Sequence, residues 1–236
     1  MASVRTFTIP HYEAFPVHVA LFKDVKNASF LRRQLLEANP EFDYAFLDAS
    51  MVGRGWITLS TNLSPQILSP HHLLSATFLA LHAHLTNRAK TRTPHSELVF
   101  RLSPNNNIGE SYKKFGITDA TTALIAVKLP LSPSTSSTNE QGAYEKDEGI
   151  TNESVSKHLS SAVEGTSVGM GENGEELSEW CDVDKVRKVY KLGGGDSGKK
   201  GKKGSGLNGD VDAERRSAEK KDIESVVLGV IALKGS

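Results

Sequence analysis

The 236-residue chain has a single cysteine, Cys181. One thiol forms no internal disulfide and no cysteine-based zinc site, which points to a reducing compartment. No apolar run approaches the roughly 20 residues needed to span a bilayer. The N-terminus lacks the apolar core of a secretory signal. A soluble intracellular protein is therefore expected.

Catalytic groupings are also scarce. The eight histidines invite a metal reading, but His71 and His72 are adjacent and splay around a helix. His82 and His84 are two apart and share no helical face. With no His-x-x-x-His pair, no metal is expected. Ser96 and Glu97 beside His95 are chain neighbours that point apart, so they make no triad. Gly193 to Gly195 with Lys199 and Lys200 lack the fixed spacing of a phosphate loop and follow no buried strand. Asp24 and Asp48 end strands, which suits a site but equally suits a plain strand stop. No catalytic residue and no cofactor are assigned.

What is present divides by composition. The net charge of zero conceals blocks of +4 (residues 1–130), −8 (131–180) and +4 (181–236). Leu, Phe, Val and Ala dominate up to Pro130. From Leu131 to Glu179 the chain turns to Ser, Thr, Glu, Asn and Gly. Such a stretch is expected to bury too little apolar surface to offset its ordering entropy. The division expected is one domain from 1–130, 181–192 and 223–236, a disordered acidic insert at 131–180, and a flexible Gly/Lys-rich linker at 193–212.

Patterning predicts the elements. Val17 to Phe22 reads as a buried strand. Asn27 is suited to cap a helix from Ala28 to Ala38, ended by Asn39-Pro40. Tyr44 to Leu47 is a second strand, and Gly53 to Gln66 an inserted loop. Ser69 as cap and Pro70 at the first position start the longest helix, to about Asn87. Its stripe is Leu74, Phe78, Leu81 and Leu85. A basic, hydroxyl-rich loop (Lys90 to Ser96) leads to a strand over Glu97 to Leu102, in which Leu98, Phe100 and Leu102 alternate with Val99 and Arg101. A Ser-Pro-Asn turn hands over to a short helix ending at Gly116, which suits a left-handed cap. Ala123 to Leu129 is a strand, Asp182 to Tyr190 a helix, Ala213 to Lys221 a charged helix. Val226 to Leu233 is a last buried strand that closes the core. The fold class expected is α/β (α+β): one mixed five-stranded sheet packed with helices.

The basic loop is the strongest candidate for binding. Lys26, Lys90 and Arg92 suit phosphates, and Thr91, Thr93, Ser96 and Asn107 suit bases or ribose. The helix starts near Asn27 and Asn106 offer free N–H groups to an anion. The same residues also suit an ordinary solvated, capped loop.

Four segments carry a family resemblance: LFKDVKNASFLRRQL (Leu21 to Leu35), Lys90 to Thr93, SELVFRLSPNNNIGESYKKFGI (Ser96 to Ile117) and VRKVYKL (Val186 to Leu192). Together they resemble the small regulatory subunit of the KEOPS/EKC complex, the PRPK-binding-protein family, in its fungal form. The resemblance implies a non-enzymatic subunit that binds and activates an atypical kinase/ATPase and meets other KEOPS subunits through it. It also implies recruitment of tRNA by its 3′ CCA end for threonylcarbamoyl modification of the adenosine beside the anticodon. Links to telomere maintenance and transcription, and a nuclear and cytoplasmic location, follow from it as well. On this reading Lys26, Lys90, Arg92, Asn106 and Asn107 are the RNA candidates, and Leu73, Thr77, Val186 and Tyr190 the kinase candidates. The alternatives are a scaffold that touches only protein and a small α/β enzyme. No membrane partner is expected.

Overall fold

The computed structural model describes residues 1–49, 69–134, 144–174, 176–179, 183–192 and 209–234. The expected loop Gly53 to Gln66, Cys181 and the Gly/Lys-rich stretch 193–208 lie outside the described residues. In chain order the first half gives β1 (Val4–Phe7), β2 (Val17–Lys23), α1 (Ala28–Leu36), β3 (Ala45–Asp48), α2 (Pro70–Leu85), α3 (Pro94–Leu102), α4 (Ile108–Phe115) and β4 (Ala123–Lys128). The second half gives β5 (Leu131–Pro133), β6 (Tyr144–Lys146), α5 (Asn152–Ala162), β7 (Thr166–Val168), α6 (Glu176–Glu179), α7 (Val183–Tyr190) and α8 (Gly209–Lys234).

The expected α+β fold with a five-stranded sheet is present. Only three of the expected strands (β2, β3 and β4) belong to the sheet, β1 and β7 complete it, and its direction is antiparallel rather than mixed. Its order is β1-β2-β4-β3, with β7 also on β2. All its described pairings are antiparallel, with Ala20 opposite Ala126 and Ala45 opposite Val127 in the centre. β5 and β6 form a separate hairpin. Alternation in the central strands buries both faces. Val17, Val19, Leu21, Leu47, Ile125 and Val127 meet α2, α3, α7 and α8 on one side. Ala20, Phe22, Phe46, Leu124 and Ala126 meet α1 and α5 on the other.

Two expected strands are helices. Residues 97–102 belong to α3, capped by Thr93, whose Oγ1 accepts from Ser96 N at 3.1 Å, with Pro94 at the first position. Every residue of α3 except Ser96 is buried, so its apolar pattern has no period that separates helix from strand. Val226 to Leu233 lies in α8, and the core is closed by a helix rather than a late strand. Ile223, Val227 and Ile231, spaced by four, point inward and are buried.

The acidic stretch 131–180 is not a looped-out spacer where it is described. α5 carries Val155 and Leu159 one turn apart into the second core. Thr151 and Ser154 cap it reciprocally. Its serines bind the start of the chain: Ser156 Oγ donates to Ala2 O at 2.6 Å, and Ser160 Oγ accepts from Ala2 N. β7 then adds a strand to β2.

Three smaller expectations are corrected. Asn27 does not cap α1; its side chain donates to Ala162 O and accepts from Glu164 N, tying α1 to the end of α5. Gly116 has φ −75°, not a left-handed cap. It is glycine because a Cβ there would lie 2.8 Å from Tyr112 O. In α2 the buried face is Leu73, Ala76, Thr77, Ala80, Leu81 and His84, with Leu74, Phe78 and Leu85 only half-buried.

Candidate functional site

A cleft of about 1120 Å³ opens at the end of the sheet where β3 begins and β4 ends. Its walls come from the tail of α1, the turn 40–44, the loop before α3, and α4 and α5. Arg32, Arg92, Lys113 and Lys128 supply cations, and Tyr44, Tyr112, Tyr144 and His158 supply rings.

The floor is a fixed polar cluster. His95 is buried, and its Nε2 accepts from Leu129 N at 2.9 Å. Its proton therefore sits on Nδ1, which lies 3.1 Å from Asp43 Oδ2. Burial lowers the His95 pKa and holds the ring neutral, against the pull of Asp43. Burial alone would raise Asp43. His95, Lys128 and a hydrogen bond from Thr93 outweigh it and keep that carboxyl ionised. Lys128, itself lowered by burial, donates to Asp43 O at 2.7 Å and sits 4.7 Å above the Tyr44 ring. The Tyr44 ring stacks on His158 at 5.5 Å and its hydroxyl lies 3.0 Å from His158 Nδ1. Burial pushes the Tyr44 phenol up.

Asp43 and His95 resemble two members of a hydrolytic triad. The nitrogen that would act as base, Nε2, is occupied by a backbone amide, and the Ser96 hydroxyl instead accepts from Tyr112 at 2.8 Å. The pair is a structural floor. Among the described residues no group of three or more His, Cys, Asp or Glu is placed to hold a metal. No helix among them is long and apolar enough to cross a membrane.

The basic loop is held in shape from inside. Glu97 is fully buried, and its Oε2 accepts from Lys90 N, Thr91 N and Thr91 Oγ1 at 2.9, 2.9 and 3.0 Å. Its Oε1 accepts from Arg101 Nε at 2.8 Å. Lys90 and Arg92 are exposed and make no ion pair among the described residues. Arg92 faces the cleft, while Lys90 is not among its lining residues.

Of the expected RNA residues, Arg92 alone lines the cleft. Asn107 caps α4, its Oδ1 accepting from Glu110 N at 3.0 Å, and Asn106 is exposed on the same rim turn. Lys26 is exposed elsewhere, beside Glu164, and is not brought to the cleft. Leu73, Thr77, Val186 and Tyr190 are all buried. Thr77 Oγ1 donates to Leu73 O, and Tyr190 OH meets His72 Nε2 and donates to Leu102 O. All four side chains are packed inside the chain rather than on its surface, with Tyr190 joined to α2 through His72. Sequence reasoning also missed Arg32, Asp43, Lys128 and His158. Each is unremarkable in its own neighbourhood, and only the tertiary fold gathers them.

One stretch of apolar surface is exposed. On the outer side of α8, Val226 is 50% and Leu233 77% exposed, with half-buried Val230 between them.

The model of the family described as kinase binding protein CGI-121 matches residues 22–55 and 64–235. The chain is 67% identical, over 99% of its length and all of the relative, to a Phaeosphaeria nodorum protein described as EKC/KEOPS complex subunit CGI121. It is 40% identical over 99% of its length, and 97% of the relative, to an Aspergillus fumigatus subunit of the same name. It is 32% identical over 77% of its length, and 81% of the relative, to EKC/KEOPS complex subunit TPRKB of Danio rerio.

Proposed function

The chain belongs to the kinase-binding protein CGI-121 family of EKC/KEOPS complex subunits, and from that premise we propose that it is a non-catalytic adaptor. It docks the kinase/ATPase subunit, supports that subunit's activity, and holds the 3′ end of a tRNA for threonylcarbamoyl-adenosine formation.

The kinase half rests on the outer face of α8. A helix apolar on both sides is normally buried on both. Ile223, Val227 and Ile231 face the core and Val230 packs partly against it, whereas Val226 and Leu233 are exposed on the outer side. The RNA half is supported by the cleft. Single-stranded ends bind where cations meet phosphates and flat rings accept bases. Arg92, Lys113 and Arg32 at the cleft wall and the Tyr44–His158 stack supply both kinds of group.

Two pairs of variants test the halves. Val226→Asp with Leu233→Asp is expected to abolish kinase binding while leaving the fold intact, because both positions are exposed. Lys90→Glu with Arg92→Glu is expected to weaken tRNA binding at low salt and to flatten its log–log salt slope by about one to two. Removing the last bases of the tRNA is expected to have a comparable effect. Equal binding of intact and shortened tRNA, unaffected by the charge reversal, points instead to a scaffold that touches only protein.

A further inference from the structure

The last residue of α8 described, Lys234, does more than end a helix. Its ammonium donates to three backbone carbonyls: Phe100 O, Ser103 O at 2.7 Å and Asn105 O at 2.6 Å. It also sits 3.6 Å from the centre of the Phe100 ring. These carbonyls belong to the C-terminal end of α3 and the turn that leads to α4. A cation there satisfies acceptors that the helix itself leaves open and complements its dipole.

The contact continues inward. The Lys234 carbonyl accepts from Arg101 Nη1 at 3.2 Å, Arg101 Nε donates to Glu97 Oε1, and Glu97 Oε2 holds the amides of Lys90 and Thr91. One unbroken polar chain thus joins the tip of α8 to two loops. The first, 90–93, carries Arg92 into the cleft. The second, 103–107, sets the start of α4, whose Gly109, Tyr112 and Lys113 line the same cleft. The same last turn of α8 also carries Leu233, the most exposed residue of the outer stripe.

We propose that Lys234, Arg101 and Glu97 are positioning residues that couple the outer face of α8 to the cleft, so that a protein docked on α8 tightens the hold on an RNA end. This inference rests on the adaptor reading above. The physical basis is the fraying of a helix end. Terminal turns open more readily than the core, and each opening of this one releases the clasp on both loops. A partner covering Leu233 holds the turn closed. The loops are then already ordered when the RNA arrives, and less entropy is lost on binding. By linkage the effect is reciprocal, with RNA strengthening the docking by the same factor.

The test combines amide hydrogen exchange with tRNA binding, on the full chain alone and bound to the kinase subunit of its complex. In the wild type the kinase is expected to slow exchange at Lys90 and Thr91, which Lys234 does not touch, and to raise tRNA affinity about fivefold, the lower end of allosteric couplings. Lys234→Met should still bind kinase but lose both responses, and Lys234→Arg, which keeps the donors, should restore part of them. Arg101→Lys cuts the same chain at its middle, away from the docking face, and should also lose both. The inference is overturned if Lys234→Met and Arg101→Lys respond to kinase as the wild type does, or if wild-type tRNA binding ignores the kinase. A wild type that binds no tRNA at all overturns the RNA half of the adaptor reading together with this inference. Binding without coupling overturns this inference alone.

Discussion

Glu97 is a buried carboxylate whose oxygens are shared among two amides, a hydroxyl and a guanidinium. Removing its charge strands the Arg101 guanidinium, whose side chain is 6% exposed. A buried pair broken on one side costs about 3–5 kcal/mol. Glu97→Gln should therefore lower the urea midpoint markedly, whereas Lys90→Gln, on an exposed side chain with no ion pair among the described residues, should leave it nearly unchanged. Gly116 offers a contrasting case. Its backbone angles suit any residue, yet an added methyl would press on Tyr112 O and the Tyr112 ring at 2.8 and 2.9 Å. Gly116→Ala should destabilise by about 1–3 kcal/mol through overpacking rather than backbone strain, read as a lower melting temperature. Tyr112 lines the cleft, so the same variant should also weaken tRNA binding if the adaptor reading holds.

At the scale of elements, the sequence was informative where local chemistry and burial agreed. Ser69 with Pro70 marked the start of α2, and the caps were found in place. The same pairing at Thr93 with Pro94 marks α3 just as clearly, but the near-total burial of 94–102 fits an alternating strand pattern equally well. In α8 the β-branched run 226–231 reads as a strand locally; the helix is held by Ile223, Val227 and Ile231 packing on the core. In α5 the apolar residues are few, so composition suggested filler. Two well-placed residues suffice because Phe22, Phe46 and Leu124 of the sheet are already there to receive them. The site was less legible than the fold. Arg92 announces itself in a basic loop, but Asp43, Lys128 and His158 meet only through tertiary packing. α5 yields a direct check. Leu159 is fully buried, and Leu159→Ala should cost about 2–5 kcal/mol. Lys157→Ala on the exposed side of the same helix should stay within about 0.5 kcal/mol. Equal urea midpoints for the two would mean that α5 does not belong to the core.

The molecule as a whole is a sheet clad on both faces, and its histidines are distributed through that cladding. His72 and His95 are both buried, at 0% and 1% exposure. Burial lowers His72 from 6.5 to about 3 and lowers His95 as well. His18, His84 and His158 are lowered by the same cause. A histidine kept neutral in the folded state but free to protonate when unfolded gives the unfolded chain more protons. Stability therefore falls as pH drops below the unfolded value near 6.5, and keeps falling until the folded value is reached. For His72 that window extends down to about pH 3. Within it each fully buried histidine contributes about 1.4 kcal/mol per pH unit. The unfolding free energy of the wild type should accordingly decline steeply between pH 6 and 5, a range in which most carboxylates stay ionised. Replacing His72 by Gln removes one titrating group. That variant, deprived of the imidazole beside the Tyr190 hydroxyl, should be less stable at pH 7.5. Its decline between pH 6 and 5 should nonetheless be shallower than the wild type's by about 1.4 kcal/mol per unit. Urea titrations of both proteins at pH 7.5, 6 and 5 measure the difference, and parallel declines would show that His72 protonates as readily folded as unfolded.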